Sequence, residues 1–161
     1  MKIERWILVE ALAALQSQRD QLSLTALEGE HKYPLKEGRK YEQCDLWWKT
    51  ETRERWVEVK TIVCARSGVR GSIEEVEKDL SKRGRLLPHQ RLTSLVLLFP
   101  ATEGVTRWCE SRLQTIGRRP SHRFKDMGAV AIEDLGALRA WRISASGTGG
   151  HSAKAESDLR S

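Results

Sequence analysis

Two periodicities alternate along the chain, and each change from one to the other marks an element. Residues 3 to 19 contain Ile7-Leu8-Val9-Glu10-Ala11-Leu12-Ala13-Ala14-Leu15, a run of good helix formers broken by one charge. Its length and Ala/Leu content predict a helix rather than a strand. Glu10 shares a face with Ile7 and Ala14, one turn to either side. A carboxylate among apolar neighbours is costly to bury unless a cation meets it, which singles Glu10 out. Leu22 to Tyr41 is less patterned and gives a strand between Leu24 and Tyr33, then a charged loop through Lys36-Glu37-Gly38-Arg39-Lys40.

Cys44 to Val63 carries the clearest pattern. Cys44-Asp45-Leu46-Trp47-Trp48 and Arg55-Trp56-Val57-Glu58-Val59-Lys60-Thr61-Ile62-Val63 are rich in aromatic and β-branched residues, with the polar turn Thr50-Glu51-Thr52-Arg53 between them. This predicts a hairpin. A turn centred between Glu51 and Thr52 sets Asp45 opposite Glu58, Trp47 opposite Trp56 and Lys49 opposite Glu54, an aromatic pair and an ion pair being favourable across strands. Alternation then puts Trp56, Glu58, Lys60 and Ile62 on one face and Val57, Val59, Thr61 and Val63 on the other. Asp45, Glu58 and Lys60 converge as a consequence of register.

Beyond a loop from Ser67 to Gly71, Ser72 is placed to cap a helix from Ile73 to about Arg83, with Glu75 completing a capping box and Gly84 ending it. Ser94-Leu95-Val96-Leu97-Leu98-Phe99, closed by Pro100, reads as a central strand buried on both faces. Thr102 can cap a further helix with Val105, Trp108, Cys109, Arg112 and Ile116 at helical spacing, stopped by Gly117 and Pro120. Residues 129–132 and 141–143 read as short closing strands. The polar, Gly/Ser-rich stretch 145–161 predicts a disordered tail behind a single domain spanning 1–144. The fold class expected is α/β, a mixed sheet with helices on both sides.

Composition narrows the setting. In 161 residues, 39% hydrophobic and 31% charged, no apolar run approaches the roughly 20 residues needed to span a bilayer. The first residues do not read as a secretory signal, so a cytoplasmic location and no membrane partner are expected. Cys44, Cys64 and Cys109 are too scattered for a disulfide framework or zinc site and read as small buried residues. The net charge of +6 is lopsided: residues 1 to 60 carry eleven basic and eleven acidic groups, residues 61 to 144 fifteen and nine. Lys82, Arg83, Arg85 and Arg91 form one basic cluster; Arg112, Arg118, Arg119, Arg123 and Lys125 form another with no acid between them. A basic face of this kind tracks phosphates, so these nine residues are candidate nucleic-acid contacts. His31, His89, His122 and His151 are isolated and read as surface residues; Trp47, Trp48, Trp56 and Trp108 read as core.

Hard divalent cations take carboxylate oxygens on a rigid frame. Two carboxylates on adjacent strands supply it, and a lysine two residues after one of them stands on the same face, placed to counter charge on a pentacoordinate phosphate. The set of Asp45, Glu58-Val59-Lys60 after a short hairpin, and Glu10 on the first helix resembles the PD-(D/E)XK nuclease superfamily, whose members include restriction endonucleases and archaeal Holliday-junction resolvases. The resemblance covers roughly residues 1 to 100 and implies a restriction-endonuclease-like αβββαβ core. It implies that Asp45, Glu58 and the Val59 carbonyl ligate Mg²⁺, for which Mn²⁺ can substitute, that Lys60 is the catalytic lysine, and that Glu10 is a further metal contact. Cys44 departs from the motif, which has proline there. The implied activity is endonucleolytic hydrolysis leaving 5′-phosphate and 3′-hydroxyl ends, DNA being favoured by frequency in the superfamily alone. Members of this size often form homodimers. Alternatives are a nuclease-like binding or protein-interaction module without turnover, or an RNA-cleaving enzyme of the same fold. An acid-x-Lys tripeptide alone is uninformative, since Glu30-His31-Lys32 is a second copy here; the hairpin against Asp45 gives the first its weight.

Overall fold

Apolar residues of the first helix, Ile7, Leu8, Ala11, Leu12 and Leu15, lie on its less exposed side and fix α1 (Ile3–Ser17) against a sheet. In the computed structural model, residues 3–33, 42–63, 68–132 and 135–148 are described. The strand expected between Leu24 and Tyr33 is β1 (Ala26–Gly29), and the hairpin is β2 (Leu46–Lys49) and β3 (Glu54–Val63). Then follow α2 (Val69–Ser81), a 3₁₀ turn over Lys82–Arg85, β4 (Gln90–Phe99), α3 (Glu103–Gly117), β5 (His122–Ile132) and β6 (Gly136–Ser146). The charged loop at 36–40, Cys64 and residues 149–161 of the expected tail lie outside the described residues.

The strands form one mixed sheet in the order β1-β2-β3-β4-β6-β5. Only β3 and β4 run parallel, because α2 crosses between them; a parallel pair needs such a crossover, whereas hairpins suffice elsewhere. β4 lies near the middle of the sheet; Leu92, Val96 and Leu98, on the face toward α2 and α3, are fully buried, but Leu95 and Phe99 on the other face are half-buried, so the strand expected to be buried on both faces is fully covered on one. On one face, Trp56, Ile62, Val96, Trp141 and Ile143 pack with Ile73, Val76 and Leu80 of α2 and Cys109, Leu113 and Ile116 of α3. α1 covers part of the opposite face, where a Cβ on Gly29 would meet the Leu12 side chain. Among the described residues no helix is long and apolar enough to cross a membrane.

Several boundaries differ from the sequence expectation: α1 ends at Ser17, short of residue 19, and β4 starts at Gln90, ahead of Ser94. α2 starts at Val69 because Gly68, at φ 140, makes the reversal that opens the helix. Ser72 therefore sits inside the first turn, its hydroxyl donating back to the Gly68 carbonyl at 3.2 Å, and caps nothing. Gly84 falls within the 3₁₀ turn instead of ending a helix. The closing strands are each 11 residues long: β5 is an edge strand with one face largely exposed, so polar residues interrupt the apolar signal its ladder would otherwise give. β6 also runs through residues 145 and 146, which the sequence assigns to the tail.

Candidate active site

Pairing of Leu46 with Val57, Trp47 with Trp56 and Lys49 with Glu54 gives the hairpin the register expected from its turn. Asp45 occupies a bend just before β2. Its Oδ2 accepts the Val59 amide hydrogen at 2.6 Å, so its carboxylate sits against the peptide that follows Glu58. Glu54 takes its hydrogen bonds from the Trp47 indole (2.9 Å) and the Gln90 amide (2.8 Å), in place of the Lys49 ammonium.

Glu58 stands at the centre of a polar cluster walled by aromatic rings. It is 5% exposed, and its Oε1 accepts both the Tyr33 hydroxyl at 2.7 Å and the Lys82 ammonium at 2.8 Å. Lys82 also reaches Asp79 at 2.8 Å. Lys60, two residues along the same face of β3, pairs with Glu75 at 3.0 Å and Asp79 at 3.6 Å. Asp79 thus joins the two lysines. Tyr33 stacks on Trp56 with centroids 4.9 Å apart, and His31 stacks on Trp47 at 4.1 Å. His31 is accordingly a packed residue bonded to Glu28, and not an isolated surface histidine.

Burial and charge pull against each other in this cluster. Burial pushes the Glu58 carboxyl above its usual range, and hydrogen bonds from Lys82 and Tyr33 restore only part of the difference. Burial alone would lower the Lys82 ammonium, yet Asp79 and Glu58 together hold it above its ordinary value. The Tyr33 hydroxyl is raised, first by burial and then by the Glu58 charge, so it remains a hydrogen-bond donor. Burial, then Glu58, pushes the Cys44 thiol up to about 12. Cys44 is therefore a buried neutral thiol, not activated for nucleophilic chemistry, and Cys109 is buried in the core.

Of the residues selected from sequence, Asp45, Glu58, Val59 and Lys60 lie together. Glu10 does not join them: it lies on the exposed side of α1, on the opposite sheet face from the Glu58 carboxylate. The burial that singled it out is absent, because the apolar side of α1 is turned away from Glu10. The basic residues divide. Lys82 belongs to the cluster; Arg83 donates to the Ser146 carbonyl and Arg85 to Glu42. Arg112 and Arg119 line a pocket between α2 and α3, and Arg118 caps α3. Arg91, Arg123 and Lys125 project from the sheet face that α2 and α3 leave open.

Tyr33, Glu75 and Asp79 were not legible as site residues. Glu75, Asp79 and Lys82 do recur at helical spacing beside the buried stripe Ile73, Val76 and Leu80, a signal that becomes usable once α2 is known to cross from β3 to β4. Among the described residues no group of three or more His, Cys, Asp or Glu side chains is arranged to hold a metal ion. No family model, curated protein or solved structure matches the chain.

Proposed function

We propose that this protein is a Mg²⁺-dependent phosphodiesterase acting on nucleic acid, DNA favoured, with a restriction-endonuclease-like core formed by α1, β1 to β3, α2 and β4. The observation that carries the reading is the buried Glu58 carboxylate, with the Asp45 carboxylate on the adjoining peptide and the Lys60 ammonium two residues along the same face. The element order and the parallel β3–β4 pair are those of an αβββαβ core.

The donor set suits a hard cation. Asp45, Glu58 and the Val59 carbonyl offer only oxygen, and Mg²⁺ commonly takes one or two carboxylates while keeping several waters, without a full protein cage. Three carboxylates, Glu58, Glu75 and Asp79, pair with the Lys60 and Lys82 ammonium groups, and the Asp45 carboxylate lies beside them on the Val59 peptide. When bound there, Mg²⁺ supplies Lewis-acid charge at the phosphate and eases deprotonation of water. The protein's own part is positional. Tyr33 and Lys82 fix the Glu58 carboxylate and favour its ionised form despite burial. Glu75 and Asp79 hold the Lys60 ammonium where it counters charge developing on the phosphate oxygens during in-line attack by water.

A second reading is a nucleic-acid-binding module without turnover. It is favoured by the same ion pairs, since a purely structural network would also tie Lys60 and Lys82 to carboxylates. Incubation with plasmid DNA, single-stranded DNA and RNA in Mg²⁺, Mn²⁺ or EDTA separates the two. The phosphodiesterase reading expects metal-dependent cleavage that Lys60→Ala lowers by about 10²–10³-fold, the loss seen when one transition-state charge donor is removed. Wild type and Lys60→Ala equally inert on all three substrates, with binding retained, would leave the module reading.

A further inference from the structure

The sheet face opposite α2 and α3 carries an arrangement that the proposed active site does not use. Arg55 on β3 lies beside Arg91 on β4, and Arg142 projects from β6. Arg123 on β5 pairs with Ser144, and Lys125 pairs with Arg142, so both share the face of Arg142. α1 packs on this face mainly against β1 and β3, while α3 packs on the other side of β5 and β6. Trp48, Arg55, Arg91, Thr93, Arg142 and Ser144 line one shallow concavity, floored by a Thr93–Ser144 hydroxyl contact at 3.1 Å. Among the described residues no Asp or Glu occupies this face in any of the six strands; Glu28, Glu54, Glu58 and Asp126 all point to the other.

Three guanidinium groups around a neutral floor repel one another. Burial, then Arg91, Arg53 and Arg142, push Arg55 below its ordinary value. Like charges opposite one another in a sheet are destabilising, and an anion relieves that repulsion. Guanidinium forks match phosphate oxygens in pairs. Across β3, β4, β6 and β5 the basic positions extend about 14 Å at the usual strand spacing, over which one strand of B-form DNA presents about four phosphates. An open face with no acid among its described strand residues fits a repeating polyanion better than a small ligand.

We propose that this open face, through Arg55, Arg91, Arg142, Arg123 and Lys125, binds the phosphodiester backbone of nucleic acid without reading its sequence. The partner class is that of the proposed function, but the residues are separate and the binding does not require cleavage. Arg55 and Arg142 belong to neither basic cluster picked out along the chain, since only pleat and register bring them beside Arg91.

The test is fluorescence anisotropy with a labelled 20-nucleotide DNA, single-stranded and as a duplex, in EDTA over a range of salt. The Arg91→Gln/Arg142→Gln double variant is expected to bind at least tenfold more weakly, and its log–log salt slope on duplex to fall by about 2, close to one unit per lost phosphate contact. Its thermal midpoint should match or exceed the wild-type value, because the variant removes like-charge repulsion. Arg107→Gln, on α3 in an exposed pair with Glu103, should leave affinity and slope unchanged. Equal weakening by Arg107→Gln, an unaltered double variant, or preference for anionic phospholipid vesicles over DNA would overturn the proposal. Binding through this face by a wild-type protein inert toward every substrate would reject the phosphodiesterase reading alone; cleavage retained by a double variant with unchanged affinity would reject the face alone.

Discussion

Glu58 decides most at the scale of single residues. Its folded-state carboxyl lies above the usual value near 4.5. Between the unfolded and folded values the native chain holds a proton that the unfolded chain releases, so stability falls as pH rises through that interval. Urea unfolding should therefore show wild type losing stability relative to Glu58→Gln as pH rises from about 4.5, whereas a parallel pair of curves would remove the argument. Under the proposed phosphodiesterase reading, the same shift should place the acid limb of kcat/KM above the ordinary carboxylate range, since Glu58 would have to ionise to hold a cation. Glu58→Gln should stay folded, because Lys82 keeps Asp79 and the substituted amide oxygen can still accept from Tyr33. The variant should lose cleavage by at least about 10²-fold, as expected when a group that holds the catalytic charge is removed. Lys82 contributes at the other extreme: its raised ammonium gives stability that persists below its ordinary value and disappears as pH rises through the folded one.

At the scale of elements, β3 and α2 make the site together. β3 presents Glu58 and Lys60, and α2 with the turn after it presents Glu75, Asp79 and Lys82; neither holds the cluster alone. Trp56 packs between them under Tyr33 and Trp47. Trp56→Ala should cost about 3–5 kcal/mol in denaturant unfolding and slow cleavage by displacing Tyr33 from Glu58. The hairpin was legible because turn chemistry and aromatic pattern fix its register within one short stretch. The first residue of α2 was not, because the φ of Gly68 is a property of the folded backbone. β5 and β6 were read too short for a related reason. Alternation is a local signal only where one face is buried, and β5 is an edge strand whose Arg123 and Lys125 interrupt it.

For the whole molecule, the sheet separates two faces of different chemistry. One meets α2 and α3 and encloses the carboxylate–lysine cluster; the other, away from α1, is basic and carries no acid among its described strand residues. If the cluster takes Mg²⁺, the ion stabilises the native state by mass action. A cation at about ten times its dissociation constant contributes about 1.4 kcal/mol, which for a chain of this size moves the thermal midpoint by roughly 3–5 °C. Mg²⁺ should raise the midpoint of wild type by that amount and leave Asp45→Asn and Glu58→Gln unmoved. An equal rise in all three would place the ion elsewhere.

What the amino-acid order determines by itself is local: the first helix, expected over residues 3–19 and observed over 3–17, the hairpin and its register, the apolar strand around Ser94–Phe99, and the placement of Asp45 against Glu58-Val59-Lys60. Each follows from side-chain period and turn chemistry acting over ten or so residues. Tertiary structure alone decided the rest. It withdrew Glu10 to the exposed side of α1, moved Lys82 from an expected phosphate contact to the Glu58 carboxylate, and brought Tyr33 and Asp79 to the same point. It also gathered Arg55, Arg91 and Arg142, which lie 36 and 51 residues apart along the chain, onto one face. The physical reason is common to all of them. Which charge meets which is set by strand order and by the sheet face each helix covers, and neither is encoded within any single segment.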